Sequence, residues 1–167
     1  MNRPRLIHYN DAHHFHAKRL EPPTSRHLLH WPVDEVLGTG VDLLVLGLGY
    51  SDVFFHQSKV GRVVGQDKEL WENYIDWRIM RMVEVARELD TDQLRAVIER
   101  GREMGMKVFP SLKLQDSAKP GSERFGRLKQ ELGAEVCIGD EGRAEWCYDY
   151  AQEAVQDYKL ALVAEVL

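Results

Sequence analysis

Long apolar runs are missing from this chain. No stretch approaches the ~20 apolar residues that a membrane-spanning helix needs, and the longest apolar segment, Val41 to Gly49, has only the length of a strand. The opening residues, Met1-Asn-Arg-Pro-Arg-Leu-Ile-His8, hold no apolar run fit for a secretory signal. Cysteine is scarce as well. Cys137 and Cys147 are the only two, and without a secretory signal they read as free thiols rather than a disulfide. A basic excess is also absent. The net charge is −5, whereas a surface built for nucleic-acid phosphates needs a positive balance. There is no G-x-G-x-x-G, no P-loop and no G-x-S-x-G elbow. The expectations are therefore a cytoplasmic location, no membrane or nucleic-acid partner, and no cofactor.

What remains is the composition of an ordinary globular chain, with 167 residues, 44% hydrophobic and 29% charged. That is one domain or part of a larger one. Arg5 to Tyr9, behind Pro4, reads as a first strand. A His-rich loop and a Pro-Pro break at 22–23 follow, and Thr24 or Ser25 can cap a helix. Pro32 removes an amide donor, so segment 25–37 reads as kinked or as two short pieces ended by Gly38 and Gly40. Val41 to Leu48 is the clearest strand, apolar enough to be covered on both faces as in a parallel sheet. Residues 50–68 lack a helical period and read as a long loop. Trp71 to Leu89 has 3,4 spacing of Ile75, Ile79, Met82, Val83 and Ala86. A second helix starts at Asp90 or Thr91 and stops at Gly105. Met106 to Leu114 is the third strand, and Pro110 suits an edge position or bulge. A short helix lies around 124–132. The stretch from Trp146 to Leu167 reads as one amphipathic helix, with Ala151, Val155, Tyr158, Leu162 and Val166 on one face. The order β-α-β-α-α-β-α predicts crossover connections onto a parallel sheet.

In such folds ligands meet the C-terminal strand ends, which selects three clusters. The first, His8-Tyr-Asn-Asp-Ala-His-His-Phe-His16, concentrates four histidines and Asp11 within nine residues. On an extended chain His14 and His16 would share a face and could ligate a metal; the plainer reading is a polar loop with local hydrogen bonds. The second is Gly49-Tyr-Ser-Asp52 followed by Phe54, Phe55 and His56, where aromatics beside polar groups suit stacking on sugars. Alternatively, Phe54 and Phe55 anchor the loop. The third is Ser111, Lys113, Gln115 and Asp116. Period-2 geometry puts Ser111, Lys113 and Gln115 on one side, either facing a substrate or simply turning polar as the strand ends. The adjacent carboxylates Asp34-Glu35 and Asp140-Glu141 point apart and read as solvated or helix-terminal charge.

Several stretches carry a resemblance to a known group. His8-Tyr-Asn-Asp11, Leu37-Gly-Thr-Gly-Val-Asp-Leu-Leu-Val45, and Ala96 to Asp116 with its Arg-Glu-Met-Gly-Met turn resemble the N-terminal part of glycoside hydrolase-like (β/α)8 barrels, a family 10-type group of uncharacterised bacterial proteins. The closing run Tyr150 to Leu167 is similar to the helix before the fourth strand of that group. The His-dense run Ala12 to His16 and Pro32 depart from its pattern. The resemblance implies a partial (β/α)8 TIM barrel, residues 1–167, with about three βα units and parallel strands. It also implies a carbohydrate ligand, bound or hydrolysed only in a full-length form. The acidic strand end of that group would lie beyond Leu167, so no catalytic residues are assigned. Substrate contacts are expected from Asn10, Asp11, Tyr50, Asp52, Lys113, Gln115 and Asp116, with self-association through open sheet edges. The alternatives are a metal-dependent amidohydrolase-like enzyme using His14 and His16, because Asp11 to His16 looks like an H-x-H metal motif, and a non-catalytic remnant.

Overall fold

A computed structural model of the chain describes residues 6–19, 25–71, 73–139 and 145–167. The Pro-Pro break, Thr24 and the pair Asp140-Glu141 lie outside the described residues, as does Arg5 at the start of the first run.

Three strands form the main sheet: β1 (Ile7–Asn10), β2 (Leu43–Gly47) and β6 (Lys107–Ser111). They are parallel, in the order β1-β2-β6. The sheet is open, and no closed barrel forms among the described residues. Pro110 occupies β6, an edge strand, where its missing amide costs no ladder bond. Between β2 and β6, the segment read as a plain loop holds a second small sheet of two-residue strands, β3 (Gly49–Tyr50), β4 (Val53–Phe54) and β5 (Arg62–Val63).

Helices cover one face of the main sheet. Leu44 and Leu46 of β2 share a core with Ile79 and Val83 of α2 (Tyr74–Glu88) and Val97 of α3 (Gln93–Glu103). Both helices start on side-chain caps: Asn73 accepts from the Asp76 amide and Asp92 from the Arg95 amide, each at 2.9 Å. The pieces at 26–34 are a 3₁₀ turn, Arg26–His30, and a short helix α1, Trp31–Asp34. Pro32 falls in the first turn of α1, where an absent amide leaves no bond unmade.

The opposite face is exposed along its two edge strands, although Leu43 of the central strand is 5% exposed. In-register pairing places Ile7, Leu43 and Lys107 in one row, and Tyr9, Val45 and Phe109 in the next. Ile7, Tyr9 and Phe109 are each more than half exposed. Parallel sheets ordinarily bury both faces, so this side carries apolar surface that nothing in the described chain covers.

The closing segment departs from a single long helix. After α4 (Arg127–Leu132), residues 145–152 form a turn and a bridge between Cys137 and Tyr148, and α5 begins only at Glu153, running to Val166. Val155 and Leu162 of the expected face are buried and Tyr158 is half-buried, whereas Ala151 is exposed outside the helix. Leu162 packs with Leu48 and Phe54, and Leu112 borders the same cluster. Leu48 and Leu112 are the first residues beyond β2 and β6, so α5 sits over the C-terminal edge of the sheet. Both cysteines are free thiols, and burial pushes the Cys137 thiol up, toward its inert neutral form.

Candidate functional site

The C-terminal edge of the sheet carries two polar assemblies, one closed beneath α5 and one open beside β1. The closed one is built around Asp52, which has no exposed surface. Its Oδ2 accepts hydrogen bonds from the phenols of Tyr148 at 2.8 Å and Tyr158 at 3.0 Å. Burial first, and the Asp52 charge second, raise both phenols well above the ordinary tyrosine range, so both remain donors. Among the described residues Oδ1 of Asp52 has no hydrogen-bond partner. The carboxylate lies directly on Gly126: a Cβ there would come within 2.0 and 2.1 Å of its oxygens.

Two buried lysines complete this assembly. Lys159 Nζ donates to Ser51 Oγ at 2.8 Å and lies 4.4 Å from the Tyr148 ring centroid. Burial pushes its amine down to about 8 against the pull of Asp52. Lys129 Nζ donates to the carbonyls of Asp116 and Trp146, both at 3.0 Å. Ser51 itself has φ +25°, a backbone region that side-chain-bearing residues rarely adopt. A serine hydroxyl bonded to an amine of lowered pKa is a pairing that can generate a nucleophile. Here Ser51 is 1% and Lys159 4% exposed, so with α5 in place no substrate reaches them.

The open assembly is a pocket of about 300 Å³ along β1, lined by Tyr9, Asn10, Asp11, His14, Trp31 and Glu35 among others. Asn10 Nδ2 donates to Glu35 Oε1 at 3.0 Å, and Trp31 Nε1 to Glu35 Oε2 at 3.2 Å. Asp11 Oδ1 accepts from the His14 amide at 3.2 Å. The two carboxylates are thereby held in place, while Tyr9 is 51% and Trp31 36% exposed. Aromatic faces, carboxylates and an amide are thus presented together at an accessible surface.

The anticipated contacts separate accordingly. Asn10 and Asp11 line the open pocket. Tyr50 is buried beneath the Arg124 guanidinium, 4.4 Å above its ring, and Asp52 anchors the closed assembly. Gln115 uses its side-chain amide on the backbone of Tyr148, at 2.6 and 2.8 Å, and Asp116 caps a turn at the Ala118 amide. Lys113 is exposed, outside both assemblies. Phe54 and Phe55 are 1% and 2% exposed and anchor the loop.

The paired-histidine idea meets a different backbone. Residues 13–19 are helical rather than extended, so positions two apart point in different directions. His14 is exposed, while His16 is buried, bonded through Nδ1 to the Ala12 carbonyl at 2.9 Å and stacked on Phe55 at 4.4 Å. Burial pushes its imidazole down to about 4. Among the described residues no three His, Cys, Asp or Glu side chains gather as a metal site requires.

Sequence reading did not select Glu35, Trp31, Lys129, Tyr148 or Lys159 as site residues. Asp34 and Glu35 point apart as adjacent residues should, Asp34 to Arg100 at 2.7 Å and Glu35 to Asn10, but Glu35 lines the pocket rather than standing as plain solvated charge. A lysine on the otherwise apolar face of α5, between Val155 and Leu162, was the available signal for Lys159. No family model matches this chain, and no curated protein matches it either. Its class is therefore stated by architecture alone, a mixed α/β protein built on a three-stranded parallel sheet.

Proposed function

We propose that this chain binds carbohydrate in the open pocket along β1, as the first three βα units of a glycoside hydrolase-like (β/α)8 barrel. The observation that carries the reading is the composition of that pocket: exposed Tyr9 and Trp31 rings beside the fixed carboxylates of Asp11 and Glu35 and the amide of Asn10. Sugar rings offer apolar C–H faces to aromatics and hydroxyls to carboxylates and amides. The barrel part of the reading is supported by the sequential parallel order of the strands and by helices on one face only. The opposite face, with Ile7, Tyr9, Val45 and Phe109, has the apolar character of a barrel interior.

Hydrolysis requires two carboxyl groups set across a glycosidic bond. Glu35 is tied to Asn10 and Trp31, and Asp11 to a backbone amide, so both serve binding better than proton transfer. Binding without turnover is the expected activity of this chain. A glycan array followed by calorimetry tests it: Trp31→Ala and Asp11→Asn are each expected to weaken the best hit by about tenfold, the loss of roughly 1.4 kcal/mol. Binding to no glycan, or wild-type affinity in both variants, would overturn it.

A further inference from the structure

Taken as a carbohydrate site, the pocket along β1 also distinguishes one class of sugar from another. Its permanent charge is of one sign. Asp11 and Glu35 line it and no lysine or arginine does; the other titratable side chains are Tyr9 and the imidazoles of His8 and His14. An acidic sugar would bring a further negative charge against these carboxylates, and like charges at close range repel.

Asp11 separates a neutral sugar from a basic one. Its backbone is fixed from two sides. The carbonyl accepts from the His13 amide at 2.7 Å and lies against Gly47, where a Cβ would come within 2.8 Å of it. The chain then turns at Ala12, φ +61°, whose amide donates to Asn10 Oδ1 at 2.9 Å. The carboxylate itself is half-buried and takes one hydrogen bond, from the His14 amide at 3.2 Å. Among the described residues no cation pairs with it. The turn therefore holds a carboxylate charge in a set place in the pocket that also presents the exposed Tyr9 and Trp31 rings. A neutral sugar laid over Asp11 would strip water from that charge and return only hydroxyl hydrogen bonds, and covering an unpaired charge is costly. A protonated amine neutralises the charge through a charge-assisted hydrogen bond. It is also attracted to the faces of aromatic rings.

We propose that the sugar bound along β1 is an amino sugar with a free, positively charged amine, which Asp11 receives beside the Tyr9 and Trp31 rings. Glu35 keeps its negative charge while accepting from Asn10 and Trp31. It thus reinforces the preference and fixes the indole that the sugar ring stacks on. Asp11 is the specificity-determining residue, whereas Trp31 serves sugars of any charge. This assignment rests on the carbohydrate reading of the pocket, and the comparison below lets one fail without the other.

Calorimetric titration of the full chain with a trimer of β-linked glucosamine, and with the same trimer fully N-acetylated, tests it at neutral pH and constant ionic strength. The two differ in whether the nitrogen can carry charge. The free amine is expected to bind about tenfold more tightly. Raising the salt concentration should weaken its binding while leaving the acetylated trimer nearly unaffected. Asp11→Asn keeps an oxygen for the His14 amide, so the turn should survive and the wild-type circular dichroism with it. That variant should lose the preference, binding the free amine about tenfold more weakly and the acetylated trimer within about twofold of wild type. Asp157→Asn, an equal charge change at an exposed position of α5, should leave both affinities within about twofold. Equal or tighter binding of the acetylated trimer by the wild type, or an undiminished preference in Asp11→Asn, would overturn the amine assignment and leave carbohydrate binding standing. Binding of neither trimer would overturn the amine assignment as well, and the glycan array then decides whether the pocket takes any sugar.

Discussion

Asp52 shows how a few residues fix the C-terminal edge of this protein. Two phenols and the Gly126 backbone enclose its carboxylate, and no side chain at 126 fits without displacing it. Gly126 has φ −71°, so alanine carries no backbone strain there and the conflict is purely one of space. Gly126→Ala is expected to cost about 2–4 kcal/mol, because a buried carboxylate loses its donors. Urea unfolding would measure it; a change within about 0.5 kcal/mol would show that the carboxylate moves freely.

The buried titratable groups also set a pH profile. Lys159 sits near 8 when folded, against the ordinary lysine value of about 10.5. Burying its charged form is a penalty that is fully present below pH 8 and disappears between 8 and about 10.5, as the unfolded chain also loses its proton. Stability should therefore rise above pH 8, by an amount on the order of 3 kcal/mol at most. The raised phenols of Tyr148 and Tyr158 act in the opposite sense. Their contribution is complete below pH 10 and is lost above it, so the rise should turn over there. On the acid side His16 is neutral when folded down to about 4, and stability should fall as pH drops from 6.5 toward 4. Lys159→Met should remove the alkaline rise and His16→Phe should flatten the acid limb, both read from unfolding midpoints across pH. An unchanged profile in both variants would contradict this assignment. Sequence reading found Asp52 as a polar residue after a strand, but not its partners. Tyr148 and Tyr158 lie 96 and 106 residues away along the chain, a separation no local pattern encodes.

At the scale of elements, α2, α3 and the three main strands were legible because apolar period and capping residues agree there. The small sheet between 49 and 63 was not, since two-residue strands carry no period. The start of α5 was misread for a tertiary reason. Gln115 binds both the amide and carbonyl of Tyr148, and Trp146 adopts φ +58°. Those long-range bonds override the helical pattern of residues 146–152. α5 is in turn fastened by Glu165. Burial pushes the Glu165 carboxyl up, but the Ser58 hydroxyl, the Lys59 and Val60 amides and His56 prevail and hold it below the usual range. Glu165→Ala should cost about 2 kcal/mol. It should also speed amide exchange in α5 while leaving α2 and α3 near wild type, as hydrogen-exchange mass spectrometry would show. Uniform protection in the variant would mean that Leu162 alone holds the helix.

The whole molecule presents one face of its parallel sheet, with Ile7, Tyr9 and Phe109, to solvent. Apolar surface of this kind favours association in water. Sedimentation should show a concentration-dependent increase in mass, reduced by Phe109→Lys. A monomer at all concentrations, with one cooperative unfolding transition, would contradict that expectation. The carbohydrate reading rests along β1, at the sheet edge opposite Phe109, and its pocket shares Tyr9 with this face. Trp31 is one of four tryptophans, and its indole N–H bonds Glu35 inside the proposed site, so it reports occupancy directly. Its indole resonance, followed during titration with the strongest glycan from an array, is the decisive measurement. The account predicts a saturable shift of Trp31 with Trp71, Trp77 and Trp146 unmoved; a stationary Trp31, or shifts confined to the other three, would contradict it.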